Sequence, residues 1–263
     1  MSVEQIRDAA FAIRREIIEM AYRSGGPHVG SALSCADILA TLYCRILRLE
    51  PWEQRDIFIL SKAHAAMALY AALSVREIIP PELLRSYCVD GGILPAHLDR
   101  KSCDGIECSG GSLGHGFNIG LGMAYGFKCQ ASDRRVYVVI GDGESQEGSI
   151  WEGAMFAPQQ GLDNFTAIMD YNNLQGYGRP GDICYFEPVA AKWEAFGWHV
   201  CHADGHDHGS MLQAFAENCQ GKPKLIIART TKGKGVSFME NELIWHYYIV
   251  TAEHRANALK ELS

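Results

Sequence analysis

The chain contains 263 residues, of which 48% are hydrophobic, and its 24 basic and 31 acidic side chains give a formal net charge of -7. This length permits one large hydrophobic core, and no linker or charge run divides the chain, so a single domain is predicted over residues 1–263. The scattered charge argues against a nucleic-acid partner, and no apolar run is long enough for a transmembrane helix. The nine cysteines lack disulfide or metal-finger spacing and indicate reduced thiols. We therefore expect a cytoplasmic protein without a membrane or nucleic-acid partner.

The first half of the chain alternates predicted helices with glycine-rich loops. The first 23 residues form an amphipathic helix that carries many charges, which distinguishes them from a signal peptide. Ser34 is a candidate N-cap, because its hydroxyl can accept a bond from a free amide of the first helical turn. The predicted elements are a helix over Val3–Ser24, a loop over Gly25–Gly30, a helix from Ser34 to about Arg48, a strand over Asp56–Leu60, a helix from about His64, and a helix that begins at Pro80-Pro81 and ends before Gly91.

The second half alternates strands and helices more regularly. The predicted elements are a glycine loop over Gly110–Gly116, a helix over Phe117–Lys128, strands over Val136–Ile140, Phe165–Met169, His199–His202 and Leu225–Ala228, helices over Trp151–Gln160, Val189–Phe196 and Met211–Asn218, and a C-terminal helix or tail over residues 253–263. This order predicts an α/β fold, with a mostly parallel sheet covered by helices on both faces. In such a sheet, ligands bind beyond the carboxyl ends of the strands.

One segment predicts the chemistry of the site. The apolar run Val136–Ile140 ends at Gly141-Asp142-Gly143, and the next predicted strand ends close to Asn172. Parallel strands joined by a helix bring Asp142 and Asn172 to the same sheet edge, where a carboxylate and an amide oxygen suit a hard divalent cation. The glycines beside Asp142 let the backbone approach a phosphate closely. The alternative is an ordinary capped turn followed by an asparagine-rich turn.

Five further motifs accompany this metal signature. They are His28–Ser34 (HVGSALS), Leu60–His64 (LSKAH), Leu94–His97 (LPAH), Gly111–Gly116 (GSLGHG) and Thr230–Gly235 (TTKGKG). Together with the metal signature, they resemble the N-terminal half of a transketolase, which has the thiamine-diphosphate-binding (diphosphate domain) fold. A usual transketolase continues with a pyrimidine-binding domain and a C-terminal domain. The resemblance therefore implies the N-terminal, diphosphate-binding subunit of a split, two-polypeptide transketolase.

The resemblance also implies cofactors and partners. A transketolase uses thiamine diphosphate and Mg²⁺, or Ca²⁺ or Mn²⁺, to move a two-carbon ketol unit from a ketose or ketose phosphate to an aldose acceptor. In this family, a glutamate of the neighbouring pyrimidine domain activates the cofactor, and no glutamate of this chain can be assigned that role. We therefore expect a separate C-terminal subunit that supplies the glutamate, an α2β2 heterotetramer, and small sugar or sugar-phosphate substrates.

Several residues match the positions that hold the cofactor in transketolases. The resemblance implies that the side chains of Asp142 and Asn172 and the backbone carbonyl of Leu174 bind the metal. It also implies that His64 donates to a diphosphate oxygen and that Leu113 forms an apolar wedge beneath the cofactor rings. The other implied cofactor contacts are Gly111, Gly141, Gly143 and Glu144. From the residues alone, His64 and Leu113 could equally serve as loop or helix-cap packing groups.

Three histidines match substrate-binding positions. His28 and His97 match histidines that bind the ketol hydroxyls, and His246 matches one on the substrate phosphate side. Histidine suits this role because it donates or accepts a proton near neutral pH. Relatives of the split type usually have glycine after the position of His246, whereas Tyr247-Tyr248 follows here. Either the acceptor or the packing of the tail therefore differs, and plain loop histidines remain the alternative.

Other polar residues have more than one interpretation. Glu147 and Glu152 either favour a helix dipole or form an acidic link between two active sites, as similar positions do in relatives. His115 is expected behind the residues that contact the cofactor. Four residues have a spacing that could bind zinc, namely Cys201, His202, His206 and His208. We do not predict a metal there, because Asp207 resembles the cap of a common turn that follows a strand in this family.

Competing functions belong to related and unrelated classes. A deoxyxylulose-phosphate synthase-like or ketoacid dehydrogenase E1-like subunit would share the cofactor, but the SKAH and PAH segments favour a transketolase. A degenerate structural subunit fits poorly, because every position that faces the cofactor is present. A nicotinamide dehydrogenase is disfavoured, because no GxGxxG motif follows a predicted strand.

Overall fold

Five parallel strands form the centre of the molecule, in a computed structural model that describes residues 1–263. Their spatial order is β1-β2-β3-β5-β4, and every neighbouring pair is parallel. The strands are β1 (Ile57–Leu60), β2 (Val136–Gly141), β3 (Phe165–Tyr171), β4 (His199–Asp204) and β5 (Lys224–Arg229). The predicted fold class is thus confirmed.

Helices cover both faces of this sheet, because alternate strand residues point to opposite sides. The α-helices are α1 (Val3–Ser24), α2 (Val29–Ser34), α3 (Ala36–Thr41), α4 (Ala66–Val75), α5 (His115–Cys129), α6 (Gly148–Gln159), α7 (Pro180–Ile183), α8 (Val189–Ala195), α9 (His208–Ala216) and α10 (Ala252–Glu261). The larger core lies between the sheet and the layer that contains α1, α3, α4 and α9. The second core lies beneath α5, α6 and α8 and is rich in aromatic rings, among them Phe117, Phe165 and Trp193.

The pairing of β2 with β3 brings the metal signature to one edge. Gly141 pairs with Asp170, so Asp142 and Asn172 both follow the paired residues at the carboxyl ends of adjacent strands. The two side chains are buried. The chain order, the helix crossover and the register together account for this meeting of residues that are distant in sequence.

Most predicted elements are present with shifted ends. Helix α1 has the predicted bounds and begins with a capping box formed by Ser2 and Gln5. Helix α9 begins at His208, earlier than predicted, because Asp207 caps it by accepting bonds from the amides of Gly209 and Ser210. The segment that starts at Pro81 is a 3-10 helix over Pro81–Ser86.

The predicted helix from Ser34 to Arg48 is wrong. Ser34 is the last residue of α2 and caps nothing, since its hydroxyl donates to the carboxylate of Asp170. Cys35 breaks the chain into α2 and α3, and a π-helical turn over Leu42–Ile46 ends before Arg48. The sequence pattern missed this break because the residues on both sides of Cys35 are uniformly buried and show no helical periodicity.

Two short elements were not predicted. Helix α7 and a 3-10 helix over Leu243–His246 lie in segments without clear periodicity. No helix combines the length and the apolar character needed to cross a membrane.

Candidate active site

A cavity of about 240 Å³ lies at the carboxyl edge of the sheet. Every residue to which the sequence assigned a cofactor, metal or substrate role lines it: His28, His64, His97, Gly111, Leu113, Gly141, Asp142, Gly143, Glu144, Asn172, Leu174 and His246. The sequence analysis did not assign the other lining residues, which are Ser31, Lys62, Gln175, Gly176, Tyr177 and Tyr247. Loops that are far apart in the chain therefore meet at one place.

The oxygen atoms proposed for a metal are held by the local backbone. The Asp142 carboxylate accepts bonds from the amides of Gly143 (2.7 Å) and Asn173 (2.6 Å). The Asn172 side-chain oxygen accepts from the amide of Leu174 at 3.0 Å. Each oxygen keeps a further lone pair. A carboxylate, an amide oxygen and a carbonyl therefore line one cavity, and this donor set fits a hard divalent cation.

Asp142 carries a buried charge without a directly bonded cation. Its side chain makes none of the ion pairs of the molecule, and the residue is 3% exposed. Burial raises the pKa of Asp142 to about 6, and the nearby charge of Asp170 adds to this, although the two backbone donors and Lys62 act in the opposite direction. A bound cation would supply the missing favourable interaction.

A second carboxylate, Asp170, is fully satisfied beneath the cavity. Lys62 donates to it at 2.5 Å, Ser34 and Thr230 donate their hydroxyl protons, and Asn172 donates at 3.3 Å. Burial alone would raise the pKa of Asp170, but the charge and hydrogen bond of Lys62 outweigh it and hold the pKa below its usual range. This network orients Asn172. Sequence reasoning missed it, because only the fold brings these residues together.

Glu144 has a different role from the direct contact expected of it. One carboxylate oxygen accepts from the Ser61 hydroxyl and the Gly114 amide, and the other accepts from the Gly141 amide at 3.0 Å. The side chain thus ties three loops together around the cavity. The protein occupies both of its oxygens, so only the backbone of Glu144 is left to face a ligand.

Four histidines surround the cavity. The ring of His28 lies 5.3 Å from that of His64, 5.9 Å from that of His97 and 5.1 Å from that of His246, between centroids. Burial lowers the pKa of His28 to about 4 and that of His246 to about 3, and Lys232 contributes to both shifts. Burial also holds the pKa of His64 well below its ordinary value. These three rings are therefore neutral near pH 7 and can each donate and accept a hydrogen bond.

The backbone of His28 is held in an uncommon conformation. Its φ of 74° lies in the left-handed region, which few residues other than glycine and asparagine adopt. The amide of His28 donates to the carbonyl of His246 at 2.9 Å, which links the two loops. Such strain occurs preferentially at functional sites, where the surrounding structure must maintain it.

Aromatic residues form the rim of the cavity. Tyr247 follows the 3-10 helix that ends at His246, and its ring lies 4.5 Å from that of His246. A Cβ atom at Gly176 would lie 2.6 Å from the Tyr247 hydroxyl, so a side chain at position 176 would displace this tyrosine. Tyr177 is 84% exposed beside it. The tail that departs from the resemblance therefore shapes the entrance.

The residues with open interpretations lie outside this cavity. Glu147, Glu152 and His115 are exposed and do not line it. In the cluster with zinc-like spacing, His206 contacts Asp37 at 2.7 Å and His208 contacts Thr41 at 3.0 Å. These contacts give two of its histidines structural partners.

Comparison with known proteins adds a family to this geometry. A family model described as transketolase, thiamine diphosphate binding domain, matches residues 5–261. A 6-deoxy-6-sulfo-D-fructose transketolase subunit, SqwG, from Clostridium sp. (strain MSTE9) is 42% identical, over 100% of this chain and 98% of that protein. One of the two subunits of an apulose-4-phosphate transketolase from Phocaeicola vulgatus is 38% identical, over 100% of this chain and 95% of that protein.

Longer proteins match over part of their length. Transketolase-like protein 2 of Bos taurus is 37% identical, but the chain covers only 40% of it. The crystal structure of transketolase from Campylobacter jejuni superimposes with a TM-score of 0.89 at 29% identity, over 100% of this chain and 43% of that one.

Proposed function

Because this chain belongs to the transketolase family, through its thiamine diphosphate binding domain, we propose that it is the diphosphate-binding subunit of a two-polypeptide transketolase. The reaction is the transfer of a two-carbon ketol unit from a ketose, or ketose phosphate, to an aldose acceptor. The observation that carries the proposal is the single cavity in which the oxygen donors of Asp142, Asn172 and Leu174 meet His28, His64, His97 and His246.

In the proposed site, the three oxygen donors hold Mg²⁺, or another hard cation such as Ca²⁺ or Mn²⁺, against a diphosphate. The uncompensated charge of Asp142 and the donor chemistry of its neighbours support this assignment. Thiamine diphosphate, when bound, supplies the nucleophilic carbon that takes up the ketol unit. Gly141, Gly143 and Gly111 let the backbone approach the cofactor closely, His64 donates to a diphosphate oxygen, and Leu113 supports the rings.

The remaining histidines act on the substrate. We assign His28, His97 and His246 to the hydroxyl and carbonyl oxygens of the ketol unit, where they orient the substrate and hold or release protons. The neutral state of His28 and His246 supports this role, because a neutral imidazole offers both a donor and an acceptor. Such proton transfers contribute about 10²- to 10⁴-fold to a rate.

A second polypeptide completes the proposed enzyme. The two relatives named as subunits match over nearly their whole length, whereas full-length transketolases match over about two fifths. We propose that the partner carries the pyrimidine domain and its activating glutamate, that the two chains form an α2β2 assembly, and that it works in the cytoplasm. The exposed aromatic residues beside the cavity, among them Tyr177 and Tyr247, suit a contact with that partner.

The substrates are ketoses with an anionic group at the far end. This class comes from the two subunit relatives, whose names specify a sulfonated ketose and a phosphorylated one. No arginine lines the cavity in this chain. In this proposal, the partner therefore supplies most of the groups that bind the phosphate or sulfonate.

The test is a reconstitution with the pyrimidine-domain polypeptide, thiamine diphosphate and Mg²⁺. A ketose phosphate, a ketose sulfonate and pyruvate serve as donors, with an aldose phosphate as acceptor, and mass spectrometry follows the products. We expect one ketose to lose two carbons and the acceptor to gain them, and the Asp142→Ala complex to form neither product. Decarboxylation of pyruvate without ketol transfer would favour the E1-like function instead.

A further inference from the structure

A fully buried lysine joins two of the elements that form the cavity. Lys232 belongs to the Thr230–Gly235 motif and has no exposed surface. Its ammonium donates to the carbonyl oxygen of Leu174 at 2.9 Å and lies 2.9 Å from Nδ1 of His246. Neither the metal donors nor the substrate histidines of the proposed function require a lysine here. The position of this side chain therefore needs its own explanation.

The contact with His246 has a chemical direction. An ammonium has three donors and no acceptor, so the hydrogen bond exists only when Nδ1 of His246 carries no proton. A neutral ring without a proton on Nδ1 carries it on Nε2. We propose that Lys232 is a positioning residue that fixes His246 as the Nε2–H tautomer, so that the ring presents a hydrogen-bond donor to the substrate. This inference rests on the proposed function only for the identity of the acceptor.

The surrounding backbone keeps the lysine in place. The Lys232 carbonyl accepts from the amide of Asn241 at 2.9 Å, and the next amide, that of Gly233, donates to the carbonyl of Gly30 at 3.0 Å. A Cβ atom at Gly30 would lie 3.2 Å from Cγ of Lys232 and 3.2 Å from the carbonyl oxygen of Trp245. The absence of a side chain at position 30 thus lets the lysine stem pass close to the loop that carries His246.

The other side of the His246 ring is directed toward the cavity. Its Nε2 would lie 3.3 Å from a Cβ atom at Gly176, which lines the cavity together with Tyr247. The ring packs edge-on against that of His28, at an interplanar angle of 84°. In this arrangement, the Nε2–H group is available to an oxygen of the substrate. The opposite tautomer would place an N–H group against the ammonium and offer the substrate only a lone pair.

This assignment defines how the two substrate histidines near the lysine differ. His246 is held as a donor, whereas the structure shows no side-chain hydrogen bond from protein to either ring nitrogen of His28. His28 is therefore free to change its tautomer during proton transfer, while His246 binds an oxygen with fixed polarity.

Nitrogen-15 NMR of the histidine rings tests the tautomer in the unaltered chain. Long-range proton–nitrogen correlation spectra distinguish Nδ1–H from Nε2–H rings, and the His246→Gln variant assigns the signal. We expect His246 to show a protonated Nε2 and an unprotonated Nδ1 at pH 7, with and without the partner subunit. A protonated Nδ1 in the wild-type chain would overturn the proposal. This readout needs no enzymatic activity, so it remains decisive even if the proposed function fails.

Kinetics of matched lysine variants provide the second test. Lys232→Met removes the buried ammonium, and Lys234→Met removes a partly exposed lysine of the same motif that pairs with Glu240 at 3.3 Å. With saturating cofactor and Mg²⁺, we expect Lys232→Met to lower kcat/KM about 10- to 100-fold, and Lys234→Met to leave it unchanged. Saturation separates this effect from the loss of the bond to the Leu174 carbonyl.

A double variant then shows whether the lysine acts through His246. In the His246→Gln background, Lys232→Met should cost less than about threefold, because the ring that it positions is gone. The same loss of about 10- to 100-fold in both backgrounds would contradict the proposal. If Lys232→Met fails to fold, as judged by its circular dichroism spectrum, the tautomer measured in the wild-type chain decides the question.

Discussion

Two buried aspartates on the same side of the molecule behave in opposite ways. Asp37 and Asp142 are 5% and 3% exposed. Asp37 accepts two bonds from the guanidinium of Arg14, one of them at 3.0 Å, and a contact from His206 at 2.7 Å. Burial alone would raise the pKa of Asp37, but His206 and Arg14 together lower it to about 2, whereas that of Asp142 is raised to about 6.

The difference separates a structural charge from a functional one. Asp37 meets its counter-charge within the chain, and the resulting pair joins α1 to α3 and to the turn that follows β4. Asp142 has only backbone donors and faces a cavity. A folded chain that keeps a desolvated carboxylate without a bonded cation loses stability, so such a group indicates a site where a ligand restores the balance.

The largest expected effect concerns Asp142. Asp142→Ala should abolish retention of thiamine diphosphate by the complex, because it removes the only carboxylate among the proposed metal donors. Its free energy of unfolding without cofactor should be unchanged or higher, since a buried charge without an ion partner is lost. Gel filtration with Mg²⁺ measures retention, and urea titration measures stability. Wild-type retention by this variant would remove Asp142 from the metal site.

Asp37 should show the reverse pattern. Asp37→Ala leaves Arg14 buried without its partner and should lower the free energy of unfolding by about 3–5 kcal/mol. The folded fraction should retain cofactor normally. Glu4→Gln is the control, because it breaks an exposed pair with Arg7 and should change stability by less than about 1 kcal/mol. Loss of cofactor from a well-folded Asp37 variant would abolish the contrast between the two aspartates.

A pair of histidines extends the comparison to turnover. His28→Asn keeps a residue that tolerates the left-handed backbone, so it removes the ring with little added strain. We expect kcat to fall about 100-fold with unchanged cofactor affinity. His206→Gln, which weakens the Asp37 cluster, should lower stability and leave kcat unchanged. Steady-state kinetics of both reconstituted variants check this, and equal turnover of His28→Asn and wild type would exclude His28 from the chemistry.

The smallest effect is a pH dependence. The pKa of Asp37 is about 2 in the folded chain, below its ordinary value of 3.8. Its contribution to stability is therefore fully present above about pH 4 and is lost as the pH falls from about 4 to about 2, because the unfolded chain then binds a proton more readily. The loss should be about 2 kcal/mol. Urea titrations of wild type and Asp37→Asn across this range should differ in slope; parallel curves would show that Asp37 is not the group that titrates.

The sequence predicted the fold and the meeting of distant loops, because strand order and motif positions are local signals. The apolar runs indicated all five strands with shifted ends, and the carboxyl-edge rule brought Asp142 and Asn172 together. The break at Cys35 was missed, since uniformly buried residues carry no periodicity.

The supporting contacts could not be predicted in the same way. Ser34 was expected to cap a helix, and the fold gives its hydroxyl to Asp170 instead. Glu144 was expected to face the cofactor, and its carboxylate holds loops together. Lys232 stood in a recognised motif, but only the packing of Gly30 against it shows which groups it reaches. These roles depend on contacts between residues that are far apart in the chain.

Calorimetry of cofactor binding tests the central claim most directly. Thiamine diphosphate is titrated, with Mg²⁺ and the partner polypeptide present, into complexes of the wild-type chain, Asp142→Ala and Asp37→Asn. We predict saturable binding to the wild type and to the Asp37 variant, and none to the Asp142 variant. Equal binding by the Asp142 variant, or no binding by the wild type at saturating Mg²⁺, would contradict the assignment of Asp142 as a metal ligand that holds the cofactor.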